Sequence, residues 1–276
     1  MRSTFLCGLI GAGIQLSRSP ALHEREADEQ GLRYIYKLID LDKLGVGVEA
    51  LPELLNAARQ MGFAGLNITY PCKQAIIPLL DELSEDARAL NAVNTVVIRD
   101  GRMTGHNTDW SGFAEGFRRG LPDARLDRVV QLGAGGAGAA IAHAARQLGV
   151  RELTLFDIEH ARAAELAASV AAKAGTDLAA AMHKADGLIH CTPTGMAKMP
   201  GLPLDSGLLE ARHWVAEIVY FPLETELLRV ARAKGCRTLD GSGMAVYQAV
   251  GAFRLFTGIE ADAERMMRIF KSMGSE

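Results

Sequence analysis

The sequence lacks the features of several protein classes. No stretch approaches the roughly 20 apolar residues that span a bilayer, and the apolar run near the amino terminus is too short for a signal peptide. Asp and Glu (33) outnumber Lys and Arg (30), for a formal net charge of -3. Nucleic-acid binding needs clustered positive charge, which is missing. We therefore expect a cytoplasmic protein with no nucleic-acid or membrane partner.

Metal motifs and disulfide patterns are also missing. The four cysteines form no CxxC pair, and the seven histidines show no HExxH or comparable zinc spacing. The sequence therefore predicts no metal and no disulfide framework. Free cysteines are usually buried, and we expect this of Cys7, Cys72, Cys191 and Cys236.

The length of 276 residues favours two lobes with a cleft, because single cores stop growing near this size. Apolar runs and periodicities predict a first lobe whose last two strands turn on Asp100-Gly101. Its strands are predicted at 5–10, 34–39, 65–69, 94–99 and 102–105, and its helices at 19–30, 50–61 and 73–80.

Strands and helices alternate in the second half, which predicts a parallel sheet covered by helices. The last two helices, about 245–257 and 261–272, are expected to return to the first lobe. The strands are predicted at 128–132, 152–156, 187–191, 214–219 and Thr238. The helices are predicted at 110–120, 161–173 and 224–234, and an alanine-rich helix follows the glycines at 133–138 and ends at about 148.

A dinucleotide fingerprint follows the strand 128–132. Gly133, Gly135 and Gly138 satisfy G-x-G-x-x-G between a strand and a helix, where glycines let a pyrophosphate approach the helix amino terminus. Asp157 lies 24 positions after Gly133, near the offset at which a carboxylate binds the adenosine ribose. Because a carboxylate there repels a 2′-phosphate, we expect NAD rather than NADP. Arg162 could meet a phosphate, stack on adenine or pair with Glu159.

A second glycine-rich turn, Gly11-Ala12-Gly13, is only half a fingerprint. Position 16 is Leu, and no acidic residue ends the next strand at the proper offset before Asp40. We interpret this turn as a loop that delivers Ser17 and Ser19.

Oxidation of an alcohol needs an acid–base group, and the Ser-Tyr-x-x-x-Lys arrangement is absent. Lys73, at the start of a predicted helix, and Asp109, which ends Asn107-Thr108-Asp109, are the candidates. Spacing alone favours a surface lysine and a helix-capping aspartate over this catalytic pair.

A series of motifs runs in order over nearly the whole chain. The motifs are Ser17-Arg18-Ser19-Pro20, Gly65-Leu66-Asn67-Ile68-Thr69-x-Pro71-x-Lys73, Ala92-Val93-Asn94-Thr95, Gly105-x-Asn107-Thr108-Asp109, Gly133-Ala134-Gly135-Gly136 and Gly241-x-Gly243-Met244-x-x-x-Gln248. This series resembles the shikimate dehydrogenase family. Within the family the pattern is more similar to the NAD-dependent quinate/shikimate dehydrogenases.

The resemblance implies an α/β fold with an active-site cleft between two domains. The amino-terminal substrate-binding and catalytic domain would cover residues 1–108 and the Rossmann-type NAD(P) domain residues 109–244. Helices within 245–276 would return to the substrate domain.

The resemblance also implies roles for single residues. Lys73 and Asp109 would be the catalytic pair, with Lys73 taking the proton of the C3 hydroxyl while hydride leaves C3 for the nicotinamide. Ser17, Ser19 and Tyr220 would bind the substrate carboxylate, and Thr69, Asn94 and Gln248 the ring and its hydroxyls. The implied cofactor-binding residues are Gly133, Gly135, Gly136, Ala137, Asp157, Arg162, Ile218 and Gly241.

Some residues receive other expectations. We expect Asn67 to be structural and His106 to be exposed or to cap a helix. Asp157-Ile158-Glu159 stands where the NADP-dependent branch typically has Asn-Arg-Thr, which again favours NAD. Glu217 stands where the family often has Asp, and we expect this change to affect packing between the domains more than chemistry.

The expected activity is NAD-dependent oxidation of shikimate to 3-dehydroshikimate, with quinate as a second substrate, by a monomer or homodimer. An amino-substituted shikimate or another cyclic hydroxy acid could fill the same pocket. A non-catalytic NAD-responsive regulatory module is a further alternative.

Overall fold

A computed structural model describes residues 3–273 of the chain. The chain divides into two compact units, Met1–Thr108 with Val246–Glu276 (unit 1) and Asp109–Ala245 (unit 2). Each unit contains one six-stranded sheet. No helix within the described residues is long and apolar enough to cross a membrane.

Unit 1 contains a mixed sheet in the strand order β2-β1-β3-β5-β6-β4, in which β5 runs antiparallel to β3 and β6. Asp100 and Gly101 both have positive φ, as a two-residue hairpin turn between β5 and β6 requires, and this confirms the predicted turn. The strands are β1 (Thr4–Gly11), β2 (Arg33–Asp40), β3 (Gly65–Ile68), β4 (Glu82–Leu83), β5 (Thr95–Arg99) and β6 (Arg102–His106). The helices are α1 (Ser19–Glu29), α2 (Leu41–Leu44), α3 (Leu51–Gln60), α4 (Cys72–Ala75) and α5 (Glu85–Leu90), with single 3₁₀ turns at Val48–Ala50 and Ile77–Leu79.

Unit 2 contains a sheet in the order β12-β11-β10-β7-β8-β9, and neighbouring strands in this order run parallel. Separate apolar clusters cover its two faces, so the predicted helix-covered parallel sheet is confirmed. The strands are β7 (Arg128–Leu132), β8 (Glu152–Phe156), β9 (Lys173–Ala174), β10 (Gly187–His190), β11 (Trp214–Glu217) and β12 (Arg237–Leu239). The helices are α6 (Asp109–Gly120), α7 (Gly136–Gln147), α8 (His160–Ser169), α9 (Leu178–Lys184) and α10 (Glu226–Ala233), with a 3₁₀ turn at Ser206–Leu208.

The last two helices are α11 (Ser242–Thr257), which begins within unit 2 and continues into unit 1, and α12 (Ala263–Ser272). The part of α11 within unit 1 buries Phe253 and Phe256 in one core cluster with strand residues of that unit. α12 is tied to α1 by an ion pair of 2.7 Å between Arg265 Nε and the buried carboxylate of Glu26.

Two predicted helices are shorter than expected. The predicted helix 73–80 is instead α4 followed by the 3₁₀ turn Ile77–Leu79, because Pro78 has no N–H to continue an α-helix. The predicted helix 161–173 ends at Ser169 in α8. Ala171 has positive φ, and the next residues pair with β8 as β9, so sheet pairing overrides the helix propensity of this alanine-rich segment.

Among the helices that have no counterpart in the sequence prediction, α5 and α9 are the longest. Their amino termini carry recognisable caps, since Ser84 Oγ accepts from Ala87 N–H and Asp177 accepts from Ala180 N–H. These cap residues were the sequence signal that could have found both helices.

The predicted burial of all four free cysteines is confirmed.

Candidate active site

The loop after β1 carries Ser17, leads to Ser19 at the start of α1 and is held by contacts within unit 1. Asp40, at the end of β2, accepts hydrogen bonds from Gly13 N–H (3.0 Å), Ile14 N–H (3.2 Å) and Gln15 Nε2 (2.8 Å). The Gln15 bond, followed by the backbone bonds, lowers the pKa of the Asp40 carboxyl. Asp40 therefore stabilises the loop, in agreement with our interpretation of this turn.

Backbone hydrogen bonds bring three predicted site residues of unit 1 together. Thr69 follows β3, and its C=O accepts from Cys72 N–H (2.8 Å) at the start of α4. The C=O of Lys73 accepts from Val93 N–H (2.9 Å), and the C=O of Asn94 accepts from Ile68 N–H (2.8 Å). Thr69 and Lys73 are half-buried, and Asn94 is buried.

A network of hydrogen bonds among buried polar side chains is connected to these residues through Asn94. Tyr36 Oη donates to Asn67 Oδ1 (2.7 Å). Asn67 Nδ2 donates to Thr95 Oγ1 (3.1 Å) and to the C=O of Asn94 (3.3 Å). Burial raises the pKa of Tyr36 well above its usual value, which keeps the phenol protonated. These contacts agree with the structural role predicted for Asn67.

His106 corrects one expectation. It is neither exposed nor a helix cap, because it ends β6 half-buried, opposite Thr95 of β5. Burial lowers the pKa of its imidazole. Gln248, the remaining predicted substrate ligand of unit 1, lies half-buried on α11.

The glycine loop of unit 2, residues 133–138, joins β7 to α7 and includes the first residues of that helix. Gly133 has a φ of +99°, and a Cβ there would lie 2.8 Å from the backbone of Cys191. A Cβ at Gly138 would lie 2.3 Å from the C=O oxygen of Gly133. At Gly135 and Gly136 a Cβ would meet no described heavy atom within 4 Å. The loop can therefore present its backbone and the amino end of α7, where Ala137 lies, to a pyrophosphate.

Gln131 is a residue of this loop that the sequence prediction missed. Its buried Nε2 donates to the C=O groups of Gly133 (2.9 Å) and Gly138 (2.8 Å), so it ties the two ends of the loop together. Its Oε1 has no hydrogen-bond partner among residues 3–273. A polar side chain in a buried strand was the available signal.

Asp157 follows β8 and contacts the same loop. One carboxylate oxygen accepts from Ala134 N–H (2.8 Å) and the other from Glu159 N–H (2.9 Å). Arg162 is exposed and forms an ion pair of 2.6 Å with Glu159, the third of the roles considered for it. The negative charge of Asp157 therefore has no cation salt-bridged to it in the described structure.

The other predicted site residues of unit 2 lie in the segments after β11 and β12 or at the start of α6. Ile218 follows β11, and Gly241 packs so tightly on this segment that a Cβ would lie 2.7 Å from the C=O oxygen of Ile218. Tyr220 is 50% exposed, so its ring is open to solvent. Asp109 is buried at the start of α6.

Glu217 corrects a second expectation. Its buried carboxylate bonds to His190, to the N–H of Val219 and to the hydroxyl of Thr225, all within unit 2. We predicted that this residue affects packing between the domains. The contacts described for it instead lie inside unit 2.

Comparison with known proteins decides the family. The chain is 60% identical to a protein from Arthrobacter sp. named shikimate dehydrogenase (NADP(+)), over 97% of this chain and 94% of that protein. The chain belongs to the shikimate dehydrogenase family. Residues 9–96 match the family model for the shikimate dehydrogenase substrate binding domain, and residues 241–269 that for the shikimate 5'-dehydrogenase C-terminal domain.

Other family members carry a different cofactor in their names. A Corynebacterium efficiens protein named quinate/shikimate dehydrogenase (NAD(+)) is 50% identical, over 98% of this chain and 99% of that protein. The structure of quinate dehydrogenase from Corynebacterium glutamicum in complex with NAD matches with a TM-score of 0.94 and 48% identity, over 98% of this chain and all of that one. The relatives thus agree on the family and divide on the cofactor.

Proposed function

We propose that the chain is a nicotinamide-dependent dehydrogenase that interconverts shikimate and 3-dehydroshikimate, accepts quinate as a second substrate and prefers NAD to NADP. The observation that carries the proposal is the grouping of Thr69, Lys73 and Asn94 around the end of β3. A half-buried lysine on a segment next to residues with hydrogen-bonding side chains suits an enzyme that orients an alcohol and removes its proton.

Residues of unit 1, the proposed substrate domain, bind and orient the acid. Ser17 and Ser19 hydrogen-bond its carboxylate, assisted by Tyr220, while Thr69, Asn94 and Gln248 hold the ring and its hydroxyls. In the oxidation, Lys73 accepts the proton of the C3 hydroxyl as C3 gives up a hydride, and it returns that proton in the reduction. Asp109 is proposed as its catalytic partner.

Residues of unit 2, the proposed dinucleotide domain, fit the cofactor. Gly133, Gly135, Gly136 and Ala137 offer backbone N–H groups to the pyrophosphate, and the loop has room for it, because a Cβ at Gly135 or Gly136 would meet no described atom within 4 Å. Ile218 and Gly241 are proposed to line the nicotinamide pocket. When bound, the nicotinamide accepts or supplies the hydride.

The proposed NAD preference rests on Asp157. Its carboxylate can accept hydrogen bonds from ribose hydroxyls and repels a 2′-phosphate, and Arg162, the nearby cation, is paired with Glu159. The names of relatives that are 60% and 61% identical to the chain give NADP instead, so the preference needs its own measurement.

The activity is tested with purified protein, shikimate or quinate, and NAD or NADP, by following the absorbance of the reduced nicotinamide. We expect turnover of shikimate with NAD. Turnover of neither acid with either dinucleotide would contradict the proposal. If a dinucleotide binds without turnover of any cyclic hydroxy acid, including amino-substituted shikimates, the chain is a regulatory module instead.

Replacement of Asp157 by Asn is expected to lower the ratio of kcat/KM for NAD to that for NADP about tenfold or more. Repulsion between two unit charges about 4 Å apart is worth about 1 to 4 kcal/mol in water or near a protein surface. Because Asp157 also holds Ala134 N–H, both values of kcat/KM should fall, and the ratio is the measurement that decides.

Asp177→Asn is the matched control for the ratio. Asp177 lies in the same unit and also accepts a backbone N–H bond, of 2.9 Å from Ala180, as the cap of α9. Its replacement should leave the ratio unchanged. An Asp157→Asn enzyme with the wild-type ratio would contradict the assigned role.

A further inference from the structure

A buried acid–imidazole pair joins the carboxyl ends of two neighbouring strands in unit 2. His190 ends β10 and Glu217 ends β11, and the two are partners in the parallel register. Both side chains are 0% exposed, and His190 Nδ1 lies 2.9 Å from each carboxylate oxygen of Glu217. None of the roles assigned above uses this pair.

Glu217 holds both ends of the segment 218–225. One carboxylate oxygen accepts from Val219 N–H at 2.9 Å. The other accepts from the hydroxyl of Thr225, the cap of α10, at 3.1 Å. The segment between these contacts carries Ile218 and Tyr220, the residues proposed for nicotinamide and substrate, so the carboxylate controls where their backbone lies.

His190 extends the network to the loop after β10. Its Nε2 lies 2.5 Å from Thr192 Oγ1, which also accepts from Thr194 N–H at 3.3 Å. A carboxylate only accepts, so Nδ1 donates to Glu217, which leaves Nε2 to bond the Thr192 hydroxyl. A Cβ at Gly133 would lie 3.1 Å from Thr192 Cγ2, which places this loop against the glycine loop.

Stability alone is a weak reason for such a pair. Burial of a carboxylate costs free energy, and well-packed apolar side chains of similar volume often serve stability as well or better. Beyond the pair itself, the hydrogen bonds of Glu217 and His190 reach the segments that follow β11 and β10, at the carboxyl edge of the parallel sheet. At this edge α/β proteins of this kind bind ligands. A satisfied buried network gives such loops one defined geometry.

We propose that Glu217 and His190 are positioning residues for the nicotinamide half of the cofactor. They fix the Ile218–Tyr220 backbone and the Thr192 loop, whereas Gln131 and the glycine loop serve the pyrophosphate half. The inference rests on the proposed dehydrogenase function.

The test compares wild type with Glu217→Gln, Glu217→Met and His190→Gln. For each we measure kcat, the primary isotope effect with shikimate deuterated at C3, and the Kd of ADP-ribose, which lacks nicotinamide. We expect kcat to fall about tenfold, equivalent to the loss of about one hydrogen bond of positioning. The isotope effect on kcat should increase, because hydride transfer becomes slower relative to product release. The Kd of ADP-ribose should stay within about twofold of wild type, since a change of that size is only about 0.4 kcal/mol.

His213→Gln is the matched control. His213 is also buried and makes two hydrogen bonds, with Glu210 N–H and the C=O of Met182, both 3.1 Å long. It precedes β11 at the opposite end of the strand from Glu217. Its replacement should lower the thermal midpoint as His190→Gln does, with kcat and the isotope effect unchanged.

Glu217→Gln keeps the proposal testable if Glu217→Met does not fold, because the amide retains an acceptor for Val219 N–H. Folded variants with wild-type kcat and isotope effect overturn the positioning role, as does a Kd of ADP-ribose that weakens as much as kcat falls. A wild-type chain without dehydrogenase activity contradicts the proposed function itself.

Discussion

Replacement of Lys73 by Ala is expected to lower kcat for shikimate oxidation about 10²- to 10⁴-fold, the range that a positioned acid–base group contributes. The side chain is half-buried at the start of α4, and its backbone is bonded to Val93, next to Asn94. In the proposed mechanism, removal of the amine leaves the C3 hydroxyl without its proton acceptor. The Kd of NAD, measured by titration, should change little.

Two further variants separate proton transfer from charge and from surface effects. Lys73→Arg keeps the positive charge, but a guanidinium stays protonated in proteins and cannot accept a proton, so it should not restore kcat. Lys43→Ala removes an exposed lysine from α2, another four-residue helix of unit 1, and should leave kcat unchanged.

Chemical rescue gives the same prediction an independent readout. A small primary amine added to Lys73→Ala should raise its activity in proportion to the free-base concentration, because the amine supplies the missing proton acceptor. A Lys73→Ala enzyme within about tenfold of wild type would lie outside the range for a general base and contradict the assignment.

Replacement of two glycines of the glycine loop by Ala is expected to separate stability from cofactor binding. One replacement should lower stability, and the other should weaken NAD binding. Gly138→Ala brings a Cβ within 2.3 Å of the C=O oxygen of Gly133, so the unliganded protein should lose about 1 to 3 kcal/mol, as for other overpacked sites. The better helix propensity of Ala, about 1 kcal/mol, offsets only part of this loss. Thermal unfolding without cofactor measures the change.

Gly135→Ala should instead leave unfolding nearly unchanged. Its φ of -74° and ψ of -169° suit Ala, and the new methyl group would meet no described atom within 4 Å. The Kd of NAD should nevertheless increase at least about tenfold, because the fingerprint needs a bare backbone at its second glycine to approach the pyrophosphate. Unchanged NAD binding in Gly135→Ala would show that the loop does not hold the pyrophosphate.

Much of the fold was predictable from local pattern. Short apolar runs located most strands, and Asp100-Gly101 located the hairpin, because these signals act between residues close in the chain. The prediction from sequence was wrong where contacts between residues far apart in the chain determine the local structure. The paired residues of β9 end an alanine-rich helix early, and such pairing depends on a strand elsewhere in the chain.

The candidate site shows the same division. Motif order identified the family, and the fingerprint located the glycine loop and Asp157. The pattern did not indicate that Gln131 ties the two ends of this loop together. It also assigned Glu217 to packing between domains, since a single letter does not show which side chains surround it.

The sequence by itself determined the alternation of strands and helices, the dinucleotide fingerprint and the membership of the family, because each depends on residue types at fixed spacing. Only the tertiary structure decided which polar groups are buried together, as in the Tyr36–Asn67 and His190–Glu217 networks. A buried donor or acceptor must find a partner, and that partner can lie anywhere in the chain that the fold brings within about 3 Å.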